Sequence, residues 1–216
     1  MHRTIKPLAV ALVTSTLVLA GCSDSADGGA AGDNIIDAIA ITTFDGEFQS
    51  ECLPGPEANI SVQDQLIING AEASLTQTEF SSPGCGAFED STELGTVVVQ
   101  IDIVYGDTLI FPATGFSGQE ADLIFGAITL TPATADRAES FNTADTCGIT
   151  SFEAGVAAPI PSDCENFSSM TGTSFNTLAL ENNELFLGSP FIFQPPRSPD
   201  DRPNELDVFF PLVRVP

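Results

Sequence analysis

The chain has 216 residues, 43% hydrophobic and 17% charged, enough for one domain with a real core and too apolar for a disordered acidic chain. Thirty Asp and Glu stand against six Lys and Arg, a net charge of −24, which excludes a nucleic-acid partner because phosphate binding needs a basic face. His2 is the only histidine, and there is no Trp.

His2, Arg3 and Lys6 form a basic start, followed by an apolar stretch from Pro7 through Leu19 and Ala20. A transmembrane helix needs about 20 apolar residues. This stretch is shorter and gives way at once to Ser23-Asp24-Ser25-Ala26-Asp27. Residues 1–21 therefore read as a signal peptide. Leu19-Ala20-Gly21-Cys22 resembles the bacterial lipobox. That resemblance implies cleavage before Cys22, a diacylglycerol on its sulfur and an acyl chain such as palmitate on its amino group. Two or three chains anchor stably where one alone is marginal. Ser23 follows the cysteine, and Asp does not. By resemblance to enterobacterial sorting, this implies the outer membrane. Residues 22–34, Cys22 and a Ser/Asp/Gly/Ala run, read as a flexible tether, and residues 35–216 as a single β-barrel domain.

Processing at Cys22 removes the only His and the only Lys. Four Arg then face all thirty acids, a net charge of −26. Such an acidic excess suits high ionic strength, where self-repulsion is screened, and suggests a salt-rich setting. Without His, no Ser-His-Asp, Cys-His or His-ligated metal site can form. Without Lys, Schiff bases and phosphate-cradling loops of the lysine type are out. Carboxylates, hydroxyls and Tyr105 remain for acid–base work. No calcium-loop pattern occurs, and we expect no metal and no cofactor.

Ile35–Thr43 is apolar and reads as a helical turn or a lead-in strand. Phe44–Cys52 then alternates with period two, Phe44, Gly46, Phe48, Ser50 and Cys52 on one face. Pro54-Gly55-Pro56 breaks it. A second strand spans about Asn59–Ile68. Asn69-Gly70 is a strong hairpin signal, and a third strand, Ala71–Phe80, has Ala73, Leu75 and Gln77 on one face. Thr96–Tyr105 is the fourth, turned at Gly106-Asp107 into Thr108–Phe111. Thr114–Glu120 reads as a Gly-rich loop, and Ala121–Thr131 as the sixth strand. Ala135–Ser140 fits a helical turn, and Ile149–Phe167 is partly loop. Thr173–Leu180, a turn at Asn182-Asn183 and Glu184–Leu187 follow. After a Pro/Asp/Arg loop over Gln194–Asn204, Leu206–Val215 closes the series, with Val208, Phe210, Leu212 and Arg214 on one face.

Cys52, Cys85, Cys147 and Cys164 form an even set in an oxidising compartment, so two disulfides are expected from three connectivities. In a meander, the ends of the first and third strands lie at the same end of the sheet. That favours Cys52–Cys85, and Cys147–Cys164 then closes a local loop.

Eight or nine short antiparallel strands predict an all-β, antiparallel up-and-down barrel of about eight strands, stapled by disulfides. A resemblance points the same way. Phe44-Asp-Gly-Glu-Phe-Gln-Ser-Glu-Cys52, Cys147-Gly148 with Phe152 and Gly155, Leu185-Phe-Leu-Gly188 and Arg202-Pro203 with Leu206 resemble segments of uncharacterised proteobacterial lipoproteins. That resemblance covers residues 44–215 and implies a lipocalin-like barrel and no known reaction.

Phe44, Phe48, Phe111, Phe125, Phe186 and Phe210 are the candidate lining of a ligand cavity, against the simpler reading that they fill the barrel. Arg202, one of so few cations, is expected to pair with a buried carboxylate or to close a barrel end. The leading expectation is a non-enzymatic, outer-membrane-anchored lipoprotein whose barrel binds a small apolar or amphipathic ligand. The alternative is an envelope interaction or structural module with a filled barrel and a protein partner. A carboxylate-based hydrolase ranks last.

Overall fold

A segment that is apolar on alternate residues must join a sheet that buries that side. In the computed structural model, which describes residues 44–55, 59–87, 91–188 and 197–216, these segments do so by closing a barrel. The strands are β1 (Gly46–Gln49), β2 (Leu53–Pro54), β3 (Ser61–Asn69), β4 (Glu72–Phe80), β5 (Glu93–Ile110), β6 (Ser117–Pro132), β7 (Ala158–Ile160), β8 (Gly172–Glu181), β9 (Glu184–Leu187) and β10 (Leu212–Arg214). One α-helix, α1 (Ala135–Thr143), stands among the described residues.

Eight strands form the ring β1-β3-β4-β5-β6-β8-β9-β10, each antiparallel to its neighbours, and β10 returns to β1 with Arg214 opposite Phe48. β2 continues the β1 side of β3, and β7 pairs the far end of β6. The expected up-and-down barrel is present. Both expected disulfides, Cys52–Cys85 and Cys147–Cys164, are formed.

Register explains why this sequence selects this sheet. Phe48 lies opposite Leu66, Leu66 opposite Leu75, Leu75 opposite Val99 and Val99 opposite Ile128. All five are buried and belong to one apolar cluster, so they form a row around the inner wall. A one-residue slip in any strand would turn its share of that row to water. Two tight turns hold the register. Gly70 adopts φ 62° between Asn69 and Glu72, and Asn182 and Asn183 adopt φ 53° and 68°, conformations that Gly and Asn tolerate.

Four expectations are corrected. The β3–β4 turn centres on Gly70-Ala71, one residue later than the Asn69-Gly70 reading. Gly106-Asp107 does not turn the chain. It is a register shift inside the single 18-residue β5, and the reversal comes at Phe111–Phe116, where the Phe111 amide donates to the Phe116 carbonyl at 2.9 Å. A Gly-Asp pair serves a bulge as well as a turn, so local chemistry did not separate the two. The Thr114–Glu120 loop accordingly ends earlier, since β6 starts at Ser117. The closing strand shrinks from Leu206–Val215 to Leu212–Arg214, because β1 offers only four residues to pair with and the Phe209 amide is held by the Asp207 carboxylate at 3.1 Å.

At the end where β3 and β8 begin, α1 and the loop after it cover the opening. Thr134 caps the helix by accepting from the Arg137 amide at 3.1 Å. The Asn142 side chain holds both backbone groups of Phe152, at 3.0 and 2.7 Å. Ala138, Phe152, Ile160, Cys164 and Met170 thereby join the barrel core. The Cys147–Cys164 bridge, 17 residues apart, ties this cover together. Replacing both by Ser is expected to lower unfolding free energy by about 3 kcal/mol in urea titration. Alkylation of the unreduced chain should label none of the four cysteines, and labelling at any of them would refute the pairing.

Candidate functional site

The barrel interior is the natural place for a site, since inward side chains converge there from eight strands. Phe48 on β1 and Phe125 on β6 point inward, and Phe44, just before β1, packs on the same core and stacks on Tyr105 at 5.7 Å between ring centres. Phe111 and Phe186 are buried but lie on the outer wall. Phe186 is opposite Ala179 on the outward face of β8–β9 and packs on Phe116 at 5.3 Å. Phe111 leans on Gly118, where any Cβ would come within 2.6 Å of the ring. Phe210 is 63% exposed. The six candidate residues therefore do not form one lining. Three are inside, two are buried on the outer wall, and one faces water.

Among the inward residues, Phe48, Ala121 and Leu185 are 0% exposed, Val99 and Leu178 1%, and Leu75 2%. A side chain that borders a void wide enough for water keeps accessible surface even when the void is sealed. Near-zero values around the wall mean that side chains meet in the middle, as eight strands allow.

Polar residues interrupt this interior, among them Gln119 on β6, whose Nε2 donates to the Gly106 carbonyl at 2.9 Å. On β3–β4, the Asp64 carboxylate accepts from Gln77 Nε2 at 3.0 Å. Burial raises its pKa to about 6, and the Gln77 hydrogen bond offsets this only partly. On β8, half-way round the ring, Ser174 and Asn176 are fully buried. Asn176 Oδ1 accepts from the amides of Thr177 and Gly188 at 2.8 and 3.0 Å, while Asn176 Nδ2 and Ser174 Oγ have no partner. The pattern held one usable signal for these residues: each stands where the inward alternation calls for an apolar side chain.

The two ends differ. At the covered end, Glu79 on β4 forms an ion pair with Arg137 of α1, whose guanidinium lies 4.7 Å from the Phe141 ring centre. At the other end, Arg214 projects inward beside Phe48, 4.9 Å from its ring centre, with Nε buried and unpartnered. Tyr105 donates to the Gly70 carbonyl at 3.3 Å. Burial and then the Asp45 charge push its pKa up to about 12, so it is a poor acid–base group.

Arg202 pairs with carboxylates, but with part-buried ones, and it does not close a barrel end. It lies on the outer wall of β6–β8, donating to the Asn176 carbonyl at 2.6 Å and to Asp122 at 2.5 Å, with Glu120 at 3.7 Å and the Phe175 ring at 5.7 Å. Its carboxylates are partly exposed and its work is to strap the segment after residue 197 to the barrel. The same contacts occupy Glu120 and Asp122, the adjacent acid pair on that wall. Among the described residues, no three His, Cys, Asp or Glu side chains gather closely enough to hold a metal ion, and no helix is long and apolar enough to cross a membrane. The expected signal peptide, Cys22, the expected tether and Ile35–Thr43 lie outside the described residues.

No family model matches the chain, and comparison with curated proteins finds no relative.

Asp64 sets a pH dependence. In the unfolded chain its carboxyl titrates near 3.8, and in the folded barrel near 6. Below both values it is protonated in both states. As pH rises from about 4 to about 6, the unfolded chain ionises first, so stability falls through that window and the loss is complete above it. The shift corresponds to at most about 3 kcal/mol. Asp64→Asn keeps the Gln77 contact without the charge. It is expected to raise the melting midpoint by about 5 °C or more at pH 7.5 and to leave it unchanged at pH 4. Equal effects at both pH values would exclude a charged, buried Asp64.

Proposed function

We propose that this chain is a lipid-anchored module of the bacterial envelope, a filled barrel that acts through its outer surface and catalyses nothing. The observation that carries the reading is the packed middle of the interior, where Phe48, Leu75, Val99, Ala121, Leu178 and Leu185 are at most 2% exposed. A closed eight-stranded barrel is compatible with carrying an apolar ligand, and the near-zero exposure of these wall residues weighs toward a filled interior. The filled-barrel alternative is therefore favoured over ligand binding. Leu19-Ala20-Gly21-Cys22 after an apolar segment supports the anchor and an outer-membrane address. A processed chain without His or Lys supports a non-enzymatic role. Its inward carboxylates among the described residues are already bonded, Asp64 to Gln77 and Glu79 to Arg137.

One mass measurement on the chain purified from membranes tests both halves. Under denaturing conditions, the mass should equal residues 22–216 plus a diacylglycerol and an acyl chain. An unmodified mass would sink the anchor. Under native conditions, no further stoichiometric species should accompany the barrel. A discrete extra mass removed by organic extraction would overturn the filled barrel and restore the ligand carrier.

A further inference from the structure

We propose that Val208–Phe210 is a docking loop that inserts into the interface of a zwitterionic lipid bilayer. The proposal rests on the anchor at Cys22 only for what brings the bilayer close. Phe209 is 85% exposed, Phe210 63% and Val208 43%, three adjacent apolar side chains in water. By contrast, Phe44, Phe48, Phe111, Phe125, Phe152 and Phe186 are all buried. The loop is built, not frayed. The Asp207 amide donates to the Leu187 carbonyl at 2.8 Å, the Asp207 carboxylate accepts from the Phe209 amide at 3.1 Å, and Leu212–Arg214 then locks between β1 and β9. Backbone bonds on both sides thus hold the two rings out of the core.

Size and charge select the occupant. Three residues at a loop tip fall well short of the roughly 800 Å² that one partner buries in a stable protein interface. A bilayer accepts a tip, since aromatic side chains settle about 5–10 Å into the headgroup–acyl boundary. From Cys22 to Phe44 there are 22 residue steps. At about 3.5 Å each they reach at most about 75 Å, so an anchored Cys22 lets any face of the barrel meet the membrane. Anchoring also raises the effective concentration of lipid at the loop, so a contact too weak to hold a free protein is enough here. Glu205 and Asp207 closely precede the rings, and the processed chain carries −26, so an anionic leaflet would repel this face. A zwitterionic one would not.

The absence of Trp provides the test. Phe209→Trp gives the chain a single indole at an exposed position where the larger ring meets no packing limit. Ile110→Trp, at the 72% exposed tip of the β5–β6 hairpin, is the matched control with the same anchor and tether. Both are purified with their acyl chains and placed in phosphatidylcholine vesicles, with and without brominated acyl chains. The expected result is a blue-shifted Phe209→Trp emission, quenched by brominated lipid at least about twofold more than Ile110→Trp, because only an inserted ring meets the acyl region. Identical emission with and without vesicles, or quenching no greater than the control's, would overturn the proposal. So would a blue shift that needs no lipid and grows with protein concentration, since that assigns the loop to a second copy of the chain. If the mass shows Cys22 unmodified, the same readout with added vesicles at high lipid still tests the loop, so the two failures are distinguishable.

Discussion

Closure of the barrel depends on four residues. Gly46–Gln49 of β1 pairs with β3 on one side and β10 on the other, and without it the sheet has two open edges. Phe48 and Arg214 face each other across that seam, and Phe48 is fully buried there. The seam is short, yet the rest of the fold requires it. Only a closed ring lets inward side chains from opposite strands meet, and only that meeting excludes water from Asp64, Ser174 and Asn176. The three-residue β10 shows how little pairing the closure needs once both hairpins beside it are held by their turns.

The polar residues inside carry a cost that the apolar row must offset. An unpartnered buried amide or hydroxyl costs about 1–3 kcal/mol, and Ser174 Oγ and Asn176 Nδ2 are both in that state. Asn176 is half compensated, since its oxygen takes two backbone amides at the point where β8 meets Gly188. That contact fixes the chain as it leaves β9, so the residue trades stability for a defined path. Asp64 is comparable. Its carboxylate is held by Gln77 and its own amide by the Ser50 hydroxyl at 2.9 Å, which joins β3 to the residues between β1 and β2 near the Cys52–Cys85 bridge.

Much of this was legible in the chain. Alternation in Phe44–Cys52 and Ala71–Phe80 identified inward faces correctly, because a half-buried strand leaves a period of two whatever its neighbours are. The Asn182-Asn183 turn was legible for an equally local reason. What stayed hidden was set by partners distant in sequence. Nothing around Gly106-Asp107 says that β6 continues opposite β5, so a bulge read as a turn. Phe111 and Phe186 looked like lining because hydrophobicity reports burial and not which side of a wall is buried. Arg202 was singled out for scarcity, which told that it mattered but not that Asp122, 80 residues away, would meet it on the outside.

The arginines show how an acidic chain keeps one fold. Arg137 bonds Glu79 and joins the helical cover to β4; Arg197 donates to the carbonyls of Ser168, Ser169, Thr171 and Thr173; Arg202 spans β6 and β8; Arg214 lies over Phe48 at the seam. All four bind segments distant in sequence, and two of them use backbone carbonyls as acceptors. The positive charge is thus spent on joining the protein to itself, and the surface left to solvent is carboxylate with few counter-charges. Such a surface disfavours anionic partners and depends on salt to screen its self-repulsion. On that background an uncharged projection such as Phe209-Phe210 is the one kind of feature whose attraction to a neighbour does not weaken as salt rises. This agrees with a module whose contacts are apolar and whose charges serve solubility.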